Sequence, residues 1–399
     1  MLRVERHIQV KDDQLDYLCF LSKNLYNYVN YLIRQEFIAT HKLLDKYNLV
    51  HKLAKQDQAD FRALPSNVAQ QIVYQLFKNW KSFFKANKDY KKHPEKYKSR
   101  PKPPQYKHKE NGRNLLVFTK ASFTIKEGFI HFAKDAIQPL ETKISDIREI
   151  RVIPQSSCYA IEVIYNKEAH SNENLDKNLY VSIDLGINNL ATLTTNSETH
   201  PVLVNGRILK SMNRFYNKEK ARLQSYIGDK GTSKRIEHLT LRRNNKVHDY
   251  MHKASRFIIN YCLKHQIGNI VIGYNPQWKN EVNLGKRTNQ KFVSIPYLKL
   301  VKQIQYKAEE VGINVVLKEE SYTSKCDALA LEEIKKHDVY LGKRVKRGLF
   351  RSSMNKLINA DVNGSLNILR KVIGNGFINP LNIGLADNPV RINPYKYAL

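Results

Sequence analysis

The sequence predicts a mixed protein: a small β-barrel that carries a helical insert, followed by an α/β domain. Three observations carry this reading. Residues 12 to about 86 repeat apolar side chains at three- and four-residue spacing, the helical period. Residues 114–166 fall into short apolar or alternating runs separated by turn signals. From Leu179 onward a strand pair is followed by helix, strand, helix, strand and helix, the pattern of an α/β domain. The chain has 399 residues and is 42% hydrophobic, enough for two or three domains with real cores.

Along the chain, "LRVERHIQV" (2–10) reads as a strand. "QLDYLCFLSKNLYNYVNYLIRQEF" is an amphipathic helix, and "LPSNVAQQIVYQLFKNWKSFFKA" is a second one with Ser66 as its expected cap. Its aromatics Tyr74, Phe77, Trp80 and Phe84 read as helix core. "NLLVFTKASFTIKEGFIHFA" and "EIRVIPQSSCYAIEVIYN" read as strands, with a hairpin turn at Lys126–Gly128. Together with the first strand they are expected to close a barrel over 1–11 and 97–170, with 12–96 inserted as helices. "AHSNENLDKN" (169–178) is a polar linker. "YVSIDLGINNLATLTTN" is a strand–turn–strand unit, and 207–265 is helical and basic with a break at "IGDKGTS". "NIVIGYN" is a buried strand, "SIPYLKLVKQIQYKAEEVG" a helix ending at Gly312, "INVVLKEESYTSK" a strand running into a loop, and "INADVNGSLNILRKVIG" the final helix. The α/β domain is expected over 178–375, a hairpin over 322–355, and a tail over 376–399.

Charge is the dominant property. Lys and Arg number 67 against 37 Asp and Glu, a net of +30. Such an excess opposes compactness unless a polyanion neutralises it, and nucleic acid is the obvious one. Residues 78–113 hold 13 Lys and Arg against 3 acids, with Trp80, Phe83, Phe84, Tyr90, Tyr97 and Tyr106 interleaved and prolines at 94, 101, 103 and 104. Cations and aromatics on an extended backbone suit phosphates and stacked bases. Lys91, Lys92, Lys96, Lys98, Arg100 and Lys102 are the contacts expected there. No apolar run approaches the ~18 residues of a membrane span, and "MLRVERHIQV" does not read as a signal peptide. Cys19, Cys158, Cys262 and Cys326 form no CxxC pair, which suits a reducing compartment. A cytoplasmic, nucleoid-associated protein is expected. There is no GxxxxGK[ST] loop and no nucleophile motif.

Asp184 is the sharpest residue, an acid inside the apolar strand "VSIDLG". It is costly to bury unless paired or metal-bound. Asp361 in "NADVNGSLN" stands at a helix start, with Asn363 and Asn367 one turn apart. Each alone reads also as a hydrogen-bonded strand-end or capping aspartate. An acid on the first strand and another on the last helix are what a ribonuclease-H-like fold supplies to two divalent cations.

"SIDLGINNLATL", "IPYLKLVKQIQYKAEEVGI", "EESYTSK" and "NADVNGSLNILRK" resemble the RuvC-like nuclease domain of TnpB proteins, RNA-guided DNA endonucleases of insertion-sequence transposons related to type V CRISPR effectors and Fanzor proteins. The N-terminal part resembles the family's wedge barrel with its inserted recognition helices. The resemblance implies a guide RNA from the transposon end, double-stranded target DNA beside a short adjacent motif, and two Mg²⁺, with Mn²⁺ as a substitute. This sequence departs from the family at two places. The zinc ribbon keeps only Cys326 in "TSKCDALALEE", and "RGLFRSSMNKLINAD" has no cysteine. One Cys with His337 does not make a four-ligand site, so no zinc is expected. Lys343, Arg344, Lys346, Arg347 and Arg351 still mark this hairpin as a nucleic-acid contact. The second departure is Gly273, where the family carries a metal-binding Glu. The site is dead, or Glu281 substitutes, or a glutamate on the next strand reaches the pocket. Some relatives carry a relocated glutamate just before the TS motif. That match selects Glu320 over Glu319, and strand alternation sends the two to opposite faces. Asp184, Glu320 and Asp361 are thus the expected catalytic and metal ligands. His248 and His252, four apart on a helix, read as a face toward RNA. Two rivals stand beside the nuclease: an RNA-guided binder that does not cut, and a DDE-type strand-transfer transposase using Asp184, Asp249 and Glu320.

The charge reading makes a measurable forecast. Affinity of the whole chain for RNA falls steeply with salt as counterions are released. Joint neutralisation of Lys91, Lys92, Lys96 and Lys98 weakens binding with the fold intact by circular dichroism. A log–log salt slope equal to one or two phosphate contacts overturns this reading.

Overall fold

The computed structural model describes residues 2–9, 12–155, 157–170, 172–228, 231–275 and 294–397. The chain divides into two compact units, Met1–Lys167 and Glu168–Leu399.

The first unit contains β1 (Leu2–Gln9), α1 (Asp13–Thr40), α2 (Lys46–Lys55), α3 (Ala59–Ala63), α4 (Ser66–Lys92), β2 (Leu116–Thr119), β3 (Phe123–Lys126), β4 (Phe129–Phe132), β5 (Leu140–Glu141), β6 (Ile147–Gln155) and β7 (Cys158–Asn166). α1 starts where Asp12 accepts the Leu15 N–H at 2.9 Å and ends at His41 in the left-handed region, φ 55°. α4 differs from expectation at its start. Ser66 is its first helical residue, the cap position is Pro65, and no side chain caps it. Lys126–Gly128 does form the hairpin turn, with Glu127 and Gly128 both at positive φ.

The expected barrel is not closed. The strands form an antiparallel four-stranded sheet, β1–β7–β6–β2, and a separate three-stranded one, β3–β4–β5. The reason is packing. Phe118, Ile150, Val152, Ile161 and Val163 from the larger sheet share one apolar cluster with Leu25, Val29, Val68 and Leu76 of the helices. The helices bury the face that barrel closure would have buried. Three of the six aromatics of the basic stretch join this core: Trp80 is buried, and Phe83 and Phe84 pack on it and on each other. Tyr90 packs edge-on against Tyr97. Tyr106 alone among the six is exposed, beneath the Arg34 guanidinium.

One face of α1 straps down the proline-rich segment. Prolines leave carbonyls with few backbone donors nearby, so side chains supply them. Lys23 Nζ donates to Lys109 O, Asn27 Nδ2 to Lys107 O at 2.9 Å, Asn30 Nδ2 to Pro104 O at 3.0 Å, and Arg34 Nη2 to the same oxygen at 2.6 Å. Positions 23, 27, 30 and 34 recur at the helical period. Asn30 Oδ1 also accepts the buried Trp80 indole N–H at 3.0 Å.

The second unit contains β8 (Asp176–Asp184), β9 (Asn189–Thr195), β10 (Val202–Asn205), α5 (Arg207–Gln224), α6 (Lys234–Lys264), β11 (Ile267–Gly273), α7 (Tyr297–Glu310), β12 (Asn314–Lys318), β13 (Lys343–Lys346), β14 (Leu349–Arg351), β15 (Leu357–Asn359), α8 (Ala360–Ile373), α9 (Pro380–Leu385) and β16 (Val390–Ile392). A six-stranded sheet runs β12–β11–β8–β9–β10–β16. β8, β9 and β10 form an antiparallel meander, while β11 and β12 add in parallel on the other side of β8. β16, in the segment read from sequence as a tail, pairs in parallel with β10.

Strand alternation divides this sheet into two faces. Val181, Ile183, Ile270 and Ile272 enter a cluster with Met251, Ile258, Leu300 and Ile304 of α6 and α7. Ser182 and Asp184 therefore point the other way, toward α8. There Ser182 Oγ meets Ser365 Oγ at 2.9 Å and Thr194 Oγ1 at 2.8 Å, all buried. β13–β14–β15 form a small sheet whose Phe350 and Ile358 pack with Val362, Leu366 and Leu369 of α8.

Replacing Asn30 with Ala orphans the Trp80 indole N–H, while Pro104 O keeps its bond from Arg34. A buried donor left unpaired costs about 1–3 kcal/mol. Denaturant titration followed by tryptophan fluorescence should show that loss for Asn30→Ala.

Candidate active site

The α8 face of the large sheet gathers the acids. Asp184 is the last residue of β8, opposite Thr192 of β9. Asp361 lies in the first turn of α8, whose cap Asn359 accepts the Asp361 N–H at 2.9 Å. Glu320 follows β12, the strand beyond β11. Gly273 ends β11 and pairs with Lys318 of β12.

Three glycines shape the space between them. A Cβ built on Gly364 would come 2.8 Å from Asp184 Oδ2. One on Gly186 would lie 3.8 Å from Asp361 Oδ2. One on Gly273 would lie 2.9 Å from Glu320 Oε2 and 2.5 Å from Ile368 Cδ1. The Glu320 carboxylate thus lies beside the place from which a side chain on residue 273 would start. Glu319 goes elsewhere: it is exposed, accepts from the Ser321 hydroxyl, and its Oε2 is 3.8 Å from Lys371 Nζ. Glu281 lies outside the described residues.

The electrostatics are those of carboxylates crowded together. Burial, then the charges of Asp361 and Glu320, hold Asp184 well above the usual carboxylate range, and Arg344 partly offsets this. Burial pushes Glu320 up to about 7, with Glu319 adding and Lys371 opposing. Asn189 Nδ2 donates to Asp361 Oδ2 at 2.8 Å, and its buried Oδ1 has no hydrogen-bond partner among the described residues. Tyr297 is buried, and its phenol is pushed up by burial and by Asp184 and Asp361. Asn189 and Tyr297 carry no sequence signal apart from their position near the motifs.

Among the described residues no three metal-ligating side chains converge on one point. Asp184 is instead the common neighbour of the other two acids. Carboxylate oxygens with the Asn189 amide oxygen are a hard donor set.

Two family models match this chain, OrfB_IS605 (probable transposase) over residues 156–279 and the Cas12f1-like TNB domain over 297–368. The TnpB-like protein ORF457 of Acidianus two-tailed virus is 30% identical over 237 residues, 55% of this chain and 48% of that protein. Over these regions the chain resembles TnpB-family proteins. It spans about half the length of the curated relative it matches. Its fold is similar to the Cas12f1–sgRNA–target DNA complex (13% identity, TM-score 0.38, covering 92% of this chain and 98% of that one). It is also similar to the mini-RNA-guided endonuclease CRISPR-Cas_phi3 (9%, 0.42, 93% and 92%) and to CasPhi-2 bound to crRNA (10%, 0.40, 93% and 98%).

The region matched by the TNB model is tied by hydrogen bonds. The buried Asp327 carboxylate accepts from Ser352 Oγ at 2.8 Å, Ser353 N at 2.7 Å, Leu329 N at 3.2 Å and Ala330 N at 3.3 Å. Cys326 Sγ donates to Lys335 O at 3.5 Å, and His337 Nε2 lies 2.8 Å from Glu333 O. Asn363 and Asn367, which the sequence placed beside Asp361, turn away from the acids. Asn363 Nδ2 donates to Cys326 O at 2.8 Å; Asn367 Nδ2 donates to Thr323 O at 2.9 Å and Cys326 O at 2.7 Å. Thr323 Oγ1 in turn donates to Glu320 O at 2.8 Å. α8 therefore positions the loop that carries Glu320.

The ten basic residues expected at nucleic acid (Lys91, Lys92, Lys96, Lys98, Arg100, Lys102, Lys343, Arg344, Lys346 and Arg347) are all exposed. Asp249 sits on α6, ion-paired with Lys253 at 3.2 Å and half solvent-exposed. His248 and His252 face each other with Nε2 atoms 3.0 Å apart, and burial with neighbouring cations holds His252 down to about 4.

The raised carboxyls fix a pH dependence. Their protonated forms are favoured in the folded state, so their contribution is fully present below the ordinary carboxylate range. It is lost as pH rises through about 7. In chelator the Tm should fall as pH goes from 5 to 8, and Glu320→Gln should flatten that fall. Added Mn²⁺ should raise Tm more at pH 8 than at pH 6, because ligands must lose their protons to bind. A parent and a Glu320→Gln protein with identical Tm–pH curves overturn this.

Proposed function

We propose that this chain is an RNA-guided DNA endonuclease of a transposon, with a ribonuclease-H-like, RuvC-type catalytic domain in which Glu320 replaces the family's acid at position 273. The observation that carries the reading is the Glu320 carboxylate beside the Cβ position of Gly273, on the sheet face that also bears Asp184. The strand order, with β8 central between an antiparallel meander and two parallel strands, supports the same reading. The first unit is proposed to act as the wedge and recognition part, and the guide RNA to come from the transposon end. Target DNA would be held beside a short adjacent motif, with sequence read by base pairing and the protein holding shape and backbone.

Two Mg²⁺ would activate water and stabilise the leaving oxygen of a phosphodiester. Asp184 would be shared between them, with Asp361 and Glu320 each completing one side. Asn189 orients Asp361 through its hydrogen bond and presents its amide oxygen to the same space. The buried Tyr297, near enough for the charges of Asp184 and Asp361 to act on its phenol, would border the acids on one side. The Asn363–Asn367 clamp holds the Glu320 loop against α8. The hairpin is proposed to hold without zinc, through Asp327.

Cleavage of a matched plasmid by the protein with its copurified RNA, in Mg²⁺, tests the reading. Glu320→Gln should lose more than the roughly 10–100-fold typical of residues outside the ligand set, with RNA and target binding retained. Glu319→Gln and Glu281→Gln should retain most activity. Chelation should stop cutting without lowering Tm through the hairpin. Gly273→Glu should restore cutting to Glu320→Gln only when Ile368 is shortened to Ala, because Ile368 Cδ1 occupies the path. A Glu320→Gln protein that cuts like the parent sinks the relocated acid. A parent that never cuts in Mg²⁺ or Mn²⁺ leaves an RNA-guided binder.

A further inference from the structure

A cleft of about 840 Å³ lies between α5 and α6, and none of the three acids lines it. Its walls are unlike a solvated helix pair. Phe215 of α5 stands 63% exposed at its edge, its ring open to a ligand. Tyr216 beside it is fixed: its hydroxyl meets Thr240 Oγ1 at 3.1 Å, and the Arg243 guanidinium lies 5.5 Å from its ring centre. Arg243 is itself committed, donating to Asn213 Oδ1 at 2.8 Å and to Ser294 O at 2.9 Å.

The rim is cationic and unspent. Arg235, Arg242 and Lys246 of α6 line the cleft, are exposed, and make no ion pair or hydrogen bond among the described residues. The one acid in the lining, Glu219, is taken by Arg222 at 2.9 Å. The spacing of the three cations places them along one side of α6, about 10 Å and about 6 Å apart along the axis. An aromatic pair and a row of unneutralised cations ask for one ligand with both a flat ring and repeated anionic charge. An acidic peptide satisfies the row and leaves the rings unused.

We propose that this cleft captures an unstacked base of single-stranded nucleic acid, stacked on Phe215, with the flanking phosphates on Arg235, Arg242 and Lys246. The inference rests on the nucleic-acid partner proposed above and adds to it a base-holding subsite on the α5–α6 pair. Stacking is tolerant of base identity, because every base has a π-face, so this subsite grips without reading sequence.

The test uses the full chain freed of RNA, with ten-nucleotide oligo(rU) and oligo(dT) probes each carrying one central 2-aminopurine. Binding should change the 2-aminopurine fluorescence. Phe215→Ala should weaken binding about tenfold or more and abolish the fluorescence change, with the salt slope unchanged. Phe215→Trp should restore both. Arg242→Gln with Lys246→Gln should instead lower the log–log salt slope by about 1.4, two single-strand phosphate contacts. Tighter binding of oligo(rU) assigns the cleft to RNA, and of oligo(dT) to a DNA strand. Unchanged affinity and fluorescence in Phe215→Ala overturn the subsite, as does full displacement of the probe by oligo-glutamate at equal charge concentration. If Phe215→Ala binds as the parent while the parent cuts matched plasmid, the subsite fails and the nuclease stands. If the parent neither binds the probes nor cuts, both fail.

Discussion

The second unit depends on how closely α8 lies on β8. A helix carrying large side chains at the contact would stand off the sheet by their full length. Here Gly364 and Ser365 occupy the contact, and a Cβ on Gly364 would already reach 2.8 Å from the Asp184 carboxylate. The Ser182–Thr194–Ser365 hydroxyls seal the interface with bonds of 2.7–3.0 Å, so polar groups buried by the close approach are satisfied. From this one contact follow the height of Asp361 above the sheet, the pinning of the 323–326 carbonyls by Asn363 and Asn367, and the place where Glu320 comes to rest. The acids sit where they do because a helix was allowed to come near.

That closeness also explains the electrostatics. The charges of Asp361 and Glu320 bear on the buried Asp184, and the chain answers with an amide from Asn189 to Asp361 and a more distant charge from Arg344. Neither neutralises the group. Burial and neighbouring charge instead favour the protonated form of Asp184. The hairpin region shows the opposite solution. There a single buried carboxylate, Asp327, is ringed by donors from the chain itself and closes the turns at both ends of the hairpin.

Much of this was legible in the sequence, for reasons that differ by element. Asp184 stood out because a lone acid in "VSIDLG" contradicts the apolar run around it, and α8 because its small and polar residues interrupt a helical period. Glu320 rested on the resemblance to relatives with a glutamate just before the TS motif, and alternation separates it from Glu319. The unclosed sheet of the first unit was not legible: short strands with one apolar face look the same whether a helix or a further strand covers them. Nor was the fate of the aromatics between 78 and 106, because a stacking ring and a core ring have the same composition; burial of Trp80 against Asn30 and Phe37 decides it. Asn189 and Tyr297 were missed because their roles come from strands and helices distant in sequence meeting at one face. The α5–α6 cleft was hidden inside a run of basic residues whose faces only the helix pairing separates.

Position 273 carries a consequence for how such a site can change over time. The Cβ that any residue other than glycine would bring there meets Ile368 at 2.5 Å and the Glu320 carboxylate at 2.9 Å. A side chain brought in at 273 therefore displaces the tips of Ile368 and Glu320, and the effect of a substitution there depends on what stands at 320 and 368. In genetic terms the three positions form an epistatic set.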